Sequence, residues 1–167
     1  MSNSHGDIPD RFQSPSLTGP TDTSDSTGAT GSMGRGRIRR GVIGIVCRDD
    51  QYLLIQRAAR VAMGGAWCFP GGHIERGENA RRAIVREMRE ELRIEVVPVH
   101  RLGAVMGRPD VMLAIWIVER AVGEIQPNTD EVSDFGWYSA AQIKARRDGL
   151  PSNHQVVDLL EAWRRAP

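Results

Sequence analysis

The stretch from Phe69 to Ile94 constrains this chain more than any other. A loop, Phe69-Pro70-Gly71-Gly72, runs through His73-Ile74-Glu75-Arg76-Gly77-Glu78 into a segment of helical character. From Asn79 to Leu92 the apolar residues Ile84, Met88 and Leu92 recur every fourth position, and Asn79 is suited to accept from the first unpaired helix amides. Glu87, Glu90 and Glu91 then fall within an arc of roughly 100° beside the apolar stripe. Glu87–Glu91 and Glu87–Glu90 are like-charge pairs at helix-neighbour spacing, each costing a bare helix a few tenths of a kcal/mol. Two carboxylates about 4 Å apart repel by roughly 4 kcal/mol at an effective dielectric near 20. A solvated helix face is the ordinary explanation of such a charge run. A divalent cation is the alternative, because it turns the repulsion into a binding site, and Mg²⁺ takes one or two carboxylates together with waters and substrate phosphates.

Around this segment, strand and helix signals alternate. Gly41–Cys47 is short, β-branched and almost wholly apolar, as a strand covered on both faces would be. Asp49-Asp50 makes a turn into a hairpin partner, Tyr52–Gln56. Ile94–Val105 and Val111–Arg120 read as strands separated by the breaker Gly107-Arg108-Pro109-Asp110, and Val132–Tyr138 as another. Ser139 and Gln142 have capping-box spacing, opening a helix. A last amphipathic helix spans Ser152–Arg165, with Val156, Leu159, Leu160 and Trp163 on one stripe. The expected fold class is therefore α/β, a sheet with helices on both faces.

The first 34 residues stand apart. Ser (7), Thr (5), Gly (5) and Pro (3) supply 20 of those positions, and such a segment buries too little apolar surface to offset about 1–2 kcal/mol of backbone entropy per residue. Residues 1–34 are expected to be a disordered tail and 35–167 a single domain. A formal net charge of +1 argues against stable nucleic-acid binding. The longest apolar run, Val111–Val118, is far short of the roughly 20 residues that span a bilayer. With no basic-then-apolar leader and only Cys47 and Cys68 as cysteines, the expectation is a reduced, cytoplasmic protein away from membranes. The oligomeric state is open between monomer and homodimer.

Gly72, five residues, Glu78, seven residues, then Arg86-Glu87-Met88-Arg89-Glu90-Glu91-Leu92-Arg93-Ile94 resembles the Nudix box, G-x5-E-x7-R-E-U-x-E-E-x-G-U, U being a bulky aliphatic residue. Gly72, Glu78, Arg86, Glu87, Met88, Glu90, Glu91 and Ile94 match. Arg93 stands where the family usually has glycine, so a different helix exit is expected. The resemblance implies an α/β/α sandwich with a mixed β-sheet and Mg²⁺-dependent hydrolysis of a nucleoside diphosphate derivative, with Mn²⁺ as a substitute. It implies that Glu87, Glu90 and Glu91 hold the metal with a carbonyl of Gly71 or Gly72, that Arg86 orients the carboxylates, and that Glu78 stabilises the loop–helix junction.

Leu113–Glu124 resembles the corresponding strand and turn of the MutT-like branch, which acts on (deoxy)nucleoside triphosphates. By that likeness the auxiliary glutamate is Glu131, slightly favoured over Asp130, and Asn153 reads a base. Trp67 or Trp116 is a candidate for stacking on that base, although a tryptophan on such a strand more often belongs to the core. A small-molecule nucleotide is the expected substrate. Nucleotide sugars, ADP-ribose and dinucleoside polyphosphates are the alternatives within the class, and a non-catalytic nucleotide-sensing module the alternative outside it.

Overall fold

A computed structural model describes residues 38–166. The expected tail, residues 1–34, lies outside that range. Nine elements follow in chain order: β1 Arg39–Arg48, β2 Gln51–Arg57, β3 Trp67–Cys68, α1 Ala80–Leu92, β4 Glu95–Arg108, β5 Val111–Val122, β6 Val132–Ser139, α2 Ala140–Ala145 and α3 Ser152–Arg165. The strands form one six-stranded mixed sheet in which β3, β2, β1, β5 and β4 lie in that order and β6 pairs with β2. β1 and β5 run parallel, from Arg39 opposite Val111 to Val46 opposite Val118, and the other strand pairs are antiparallel.

β1 is the central strand. Val42, Ile43, Ile45 and Val46 are all buried, because alternate side chains enter different cores. Ile43 and Ile45 join Tyr52, Leu54, Ile143, Val156, Val157 and Leu160 on the face covered by α2 and α3. Val42 and Val46 join Leu53, Ile55, Ala83, Ile84, Met88 and Leu92 on the face covered by α1. Helix α1 sits close on the strand, since a β-carbon on Gly44 would run into Met88 and Ile84.

One departure from regular sheet structure makes room for the site. β2 pairs with β1 only at the hairpin, where Cys47 faces Tyr52 and Arg48 faces Gln51. The strands then diverge, and the segment after β3 takes over the vacated edge. The Gly44 amide donates to the Pro70 carbonyl (3.0 Å), the Val42 amide to the Gly72 carbonyl (2.8 Å) and the Ile74 amide to the Arg40 carbonyl (3.0 Å). β3 was not foreseen; two residues are too few to show a period. The β4–β5 turn is also tighter than expected, because Gly107 and Arg108 belong to β4.

The end of α1 corrects an expectation. Arg93 adopts φ 56°, ψ 31°, and its amide donates to the Arg89 carbonyl. That is the left-handed cap a glycine would make. The exit geometry is retained, and an arginine bears the steric cost of it.

Candidate active site

Asn79 caps α1 by accepting from the Arg82 amide (3.0 Å), which fixes where the helix starts relative to the glycine loop. From the next turn Arg86 reaches back. Its Nε and Nη2 donate to the two Glu78 oxygens (3.1 and 2.9 Å) and Nη2 also to the His73 carbonyl (2.8 Å). Its Nη1 donates to Glu87 Oε1 (3.0 Å) and Glu90 Oε2 (2.9 Å). One planar guanidinium thus joins the loop, the helix start and two of the three helix carboxylates, which a lysine could not do. Glu78 is also fixed from the loop side, accepting from the Glu75 amide (3.1 Å). Arg86 holds the Glu78 carboxyl below the usual carboxylate range.

Glu87 and Glu91 are buried while Glu90 is exposed. Burial raises the Glu87 carboxyl, against the attraction of Arg86. Burial also pushes Glu91 up to about 8; Glu87 and Glu131 add to the rise, and the Gly71 amide, donating to Glu91 Oε2 (2.9 Å), counteracts it. Near neutral pH, Glu91 therefore holds a proton unless another positive charge comes close.

Both glycines of the loop are required by contact. Gly71 has φ 143°, and a β-carbon on it would collide with the Val42 carbonyl. A β-carbon on Gly72 would overlap the Glu87 carboxylate. The Gly72 carbonyl is already engaged by Val42. Among the described residues the Gly71 carbonyl has no such partner, so of the two it is the better placed to serve as a ligand.

These groups open onto a cavity of about 480 Å³, within the range of small-ligand sites. Gly71, Gly72, Arg86, Glu87, Glu90 and Glu91 line its acidic side. Glu131 lines it from another part of the chain and accepts from Asn128 Nδ2 (3.3 Å), whereas Asp130 is turned away into an ion pair with Arg60. The structure also brings in Arg57, Met63, Arg108, Leu113 and Leu150, which sequence reasoning missed. Leu113 could have been found as an inward position of a strand; Arg57 and Arg108 carried no local signal. Cys68 is a lining residue too, but burial pushes its thiol up to about 12, so it remains protonated.

Trp67 and Asn153 do not line the cavity. The Trp67 ring is buried edge-on to Tyr138 (5.4 Å between centroids) with the Arg146 guanidinium 4.4 Å from its centre, leaving no free face for a base. Asn153 is buried, its Nδ2 donating to the Trp67 carbonyl (2.9 Å). Together they anchor the wall Leu150–Ser152, whose Leu150 amide also donates to the Trp67 carbonyl (2.9 Å). For Trp67 the expectation of stacking on a base is corrected to support of the wall; Asn153 follows the lining residue Ser152, and its Oδ1 is buried without a hydrogen-bond partner among the described residues. Trp116 likewise lies elsewhere, beneath Arg81.

Among the described residues no three carboxylates, imidazoles or thiolates already converge into a metal cage. Glu87, Glu90 and Glu91 each have one oxygen committed to Arg86 or Gly71 and one without a hydrogen bond among the described residues. An all-oxygen set with a buried, charge-starved carboxylate fits a hard divalent cation such as Mg²⁺ or Mn²⁺, which needs few protein ligands.

The NUDIX domain family model matches residues 37–160. The NAD-capped RNA hydrolase NudC of Pseudomonas entomophila is 32% identical over 129 residues, covering 77% of this chain and 46% of that protein. NudC of Pseudomonas fluorescens is 35% identical over the same shares. The chain thus spans about half the length of the curated relatives it matches. The solution structure of the E. coli ORF135 protein superposes with a TM-score of 0.68 at 28% identity, over 81% of this chain and 96% of that one. The MutT protein of Methanosarcina mazei Go1 gives 0.67 at 22% identity, over 80% and 97%, a likeness of fold. The chain belongs to the Nudix family of hydrolases, and its fold is that family's α/β/α sandwich.

Proposed function

We propose that this domain hydrolyses a pyrophosphate linkage in a nucleoside di- or triphosphate derivative with Mg²⁺ as cofactor, and that its first substrate class is the (deoxy)nucleoside triphosphates. One observation carries the reading: Glu87 and Glu90, set by Arg86, and Glu91, held by the Gly71 amide, stand along one side of a cavity that Glu131 also faces. Bound Mg²⁺ would neutralise phosphate oxygens and acidify a water. Glu87, Glu90 and Glu91, with the Gly71 carbonyl, would hold it. Arg86 keeps two of those carboxylates aimed while its other edge locks Glu78. Glu131 is the auxiliary carboxylate, and its oxygen not engaged with Asn128 takes the proton of the attacking water. The apolar lining of Val111, Leu113 and Leu150 receives the nucleoside, and Arg57 and Arg108 supply positive charge for its phosphates. We place the enzyme in the cytoplasm, where such nucleotides are found.

A second reading is supported by the 32–35% identity to NudC proteins: a dinucleotide such as NAD, free or at the end of an RNA, as substrate. A panel of (d)NTPs, NAD, ADP-ribose, nucleotide sugars and dinucleoside polyphosphates, assayed with Mg²⁺ and Mn²⁺ for both products, tests the proposal. Nucleoside monophosphate and pyrophosphate from a triphosphate support the first reading, and turnover confined to NAD or a capped RNA supports the second. Nucleotide binding without turnover makes the domain a sensor, and turnover indifferent to divalent ions overturns the metal assignment.

A further inference from the structure

Arg60 lies in the turn after β2, in a segment whose Ala62 and Met63 line the cavity. It reaches across to a loop 70 residues away. Its Nε donates to the Asp130 carbonyl (3.1 Å), its Nη2 to the Thr129 carbonyl (3.1 Å), and Nη2 also pairs with the Asp130 carboxylate. The neighbouring Ala58 amide donates to the Glu131 carbonyl (2.8 Å). From the opposite side Asn128 holds the same short segment. Its amide donates to the Glu91 carbonyl (2.8 Å), its carbonyl accepts from the Glu131 amide (2.9 Å), and its side chain contacts both the Glu131 carboxylate (3.3 Å) and the Asp130 amide (3.2 Å).

Glu131 is therefore suspended between two anchors, the end of α1 through Asn128 and the end of β2 through Ala58 and Arg60. We propose that Arg60 is a positioning residue for Glu131: its fork over Thr129 and Asp130 holds that carboxylate over the cavity and ties its place to the rim segment carrying Ala62 and Met63. The proposal rests on the auxiliary role assigned to Glu131 above. Magnitudes separate this from a stabilising role. The Arg60 and Asp130 side chains are 63% and 73% exposed, and an ion pair so exposed contributes little to stability. What Arg60 contributes is geometry; its loss shows in turnover and barely in melting.

The test is a double-mutant cycle in the full chain, with the best nucleotide of the panel and saturating Mg²⁺. Arg60→Ala, Arg60→Lys, Glu131→Gln and the double variant Arg60→Ala/Glu131→Gln are compared for kcat, KM and Tm. The expected result is a fall in kcat of about tenfold for Arg60→Ala, the scale on which supporting partners of catalytic ligands act. KM and Tm stay close to the parent. Arg60→Lys recovers only part of the rate, since a single ammonium cannot span both carbonyls. In the Glu131→Gln background Arg60→Ala has no further effect. Additive losses, or a loss of rate that follows a loss of Tm, overturn the clamp. If Glu131→Gln is severe and Arg60→Ala silent, the clamp fails and the role of Glu131 survives; if Glu131→Gln is silent, both fall.

Discussion

The Gly71 amide donates to the Glu91 carboxylate, so the glycine loop and the carboxylate helix meet at one buried oxygen. The loop's shape and the helix's charge state are therefore linked.

Glu90→Gln and Glu91→Gln keep the size of the side chain and, at position 91, an oxygen able to accept from Gly71. Both variants should fold with near-parental Tm and lose turnover by orders of magnitude, read as nucleotide hydrolysis under saturating Mg²⁺. Parental rates in both would remove the carboxylates from the mechanism.

The pH dependence of stability follows from Glu91. Its folded pKa, about 8, lies above the ordinary 4.5, so between those values the native state holds the extra proton. Stability without divalent ions should fall as pH rises through that window, with a slope of at most about 1.4 kcal/mol per pH unit. Glu91→Gln should flatten this trend, and Mg²⁺ should raise Tm most at the alkaline end. A melting series in chelator and in Mg²⁺ checks it; a stability that climbs over the same range would contradict the burial argument.

The two loop glycines should fail differently. Gly71→Ala places a methyl group against the backbone carbonyl of the central strand, with φ 143° besides, and should destabilise by at least about 2 kcal/mol in denaturant titrations. Gly72→Ala meets the Glu87 side chain, which can swing aside. It should keep most of its stability and lose activity.

Arg93→Gly should stabilise. The arginine sits in a left-handed conformation that costs a residue with a β-carbon about 1–2 kcal/mol, partly offset by the greater freedom of glycine in the unfolded chain. A gain of about 0.5–1 kcal/mol in chemical unfolding is expected, with activity unchanged.

How much of this was legible beforehand depended on distance along the chain. Asn79 as cap, the Ser139–Gln142 capping box and the apolar stripe of α1 are local patterns, and the structure has all three. The spacing from Gly72 to Ile94 located the carboxylates because loop and helix are consecutive. Arg57, Arg108 and the Arg60–Asp130 contact join segments far apart in sequence, and no period or motif announces them. Trp67, a candidate for stacking, is buried instead, with Arg146 over its ring and Tyr138 in edge contact, and those neighbours lie far from it in sequence. Arg93 misled because a missing glycine suggested a changed exit, while the backbone kept its path.

The shared edge of β1 has a wider consequence. Because Pro70 and Gly72 bond directly to Gly44 and Val42, the glycine loop is stitched into the central strand of the sheet. Met63, by contrast, lies in the turn after β2 and is itself 52% exposed. Under the proposed function, such a division would let the preference for one ligand over another be rewritten at the rim by a few substitutions, while the glycine loop and the carboxylate helix ride undisturbed on the scaffold's spine.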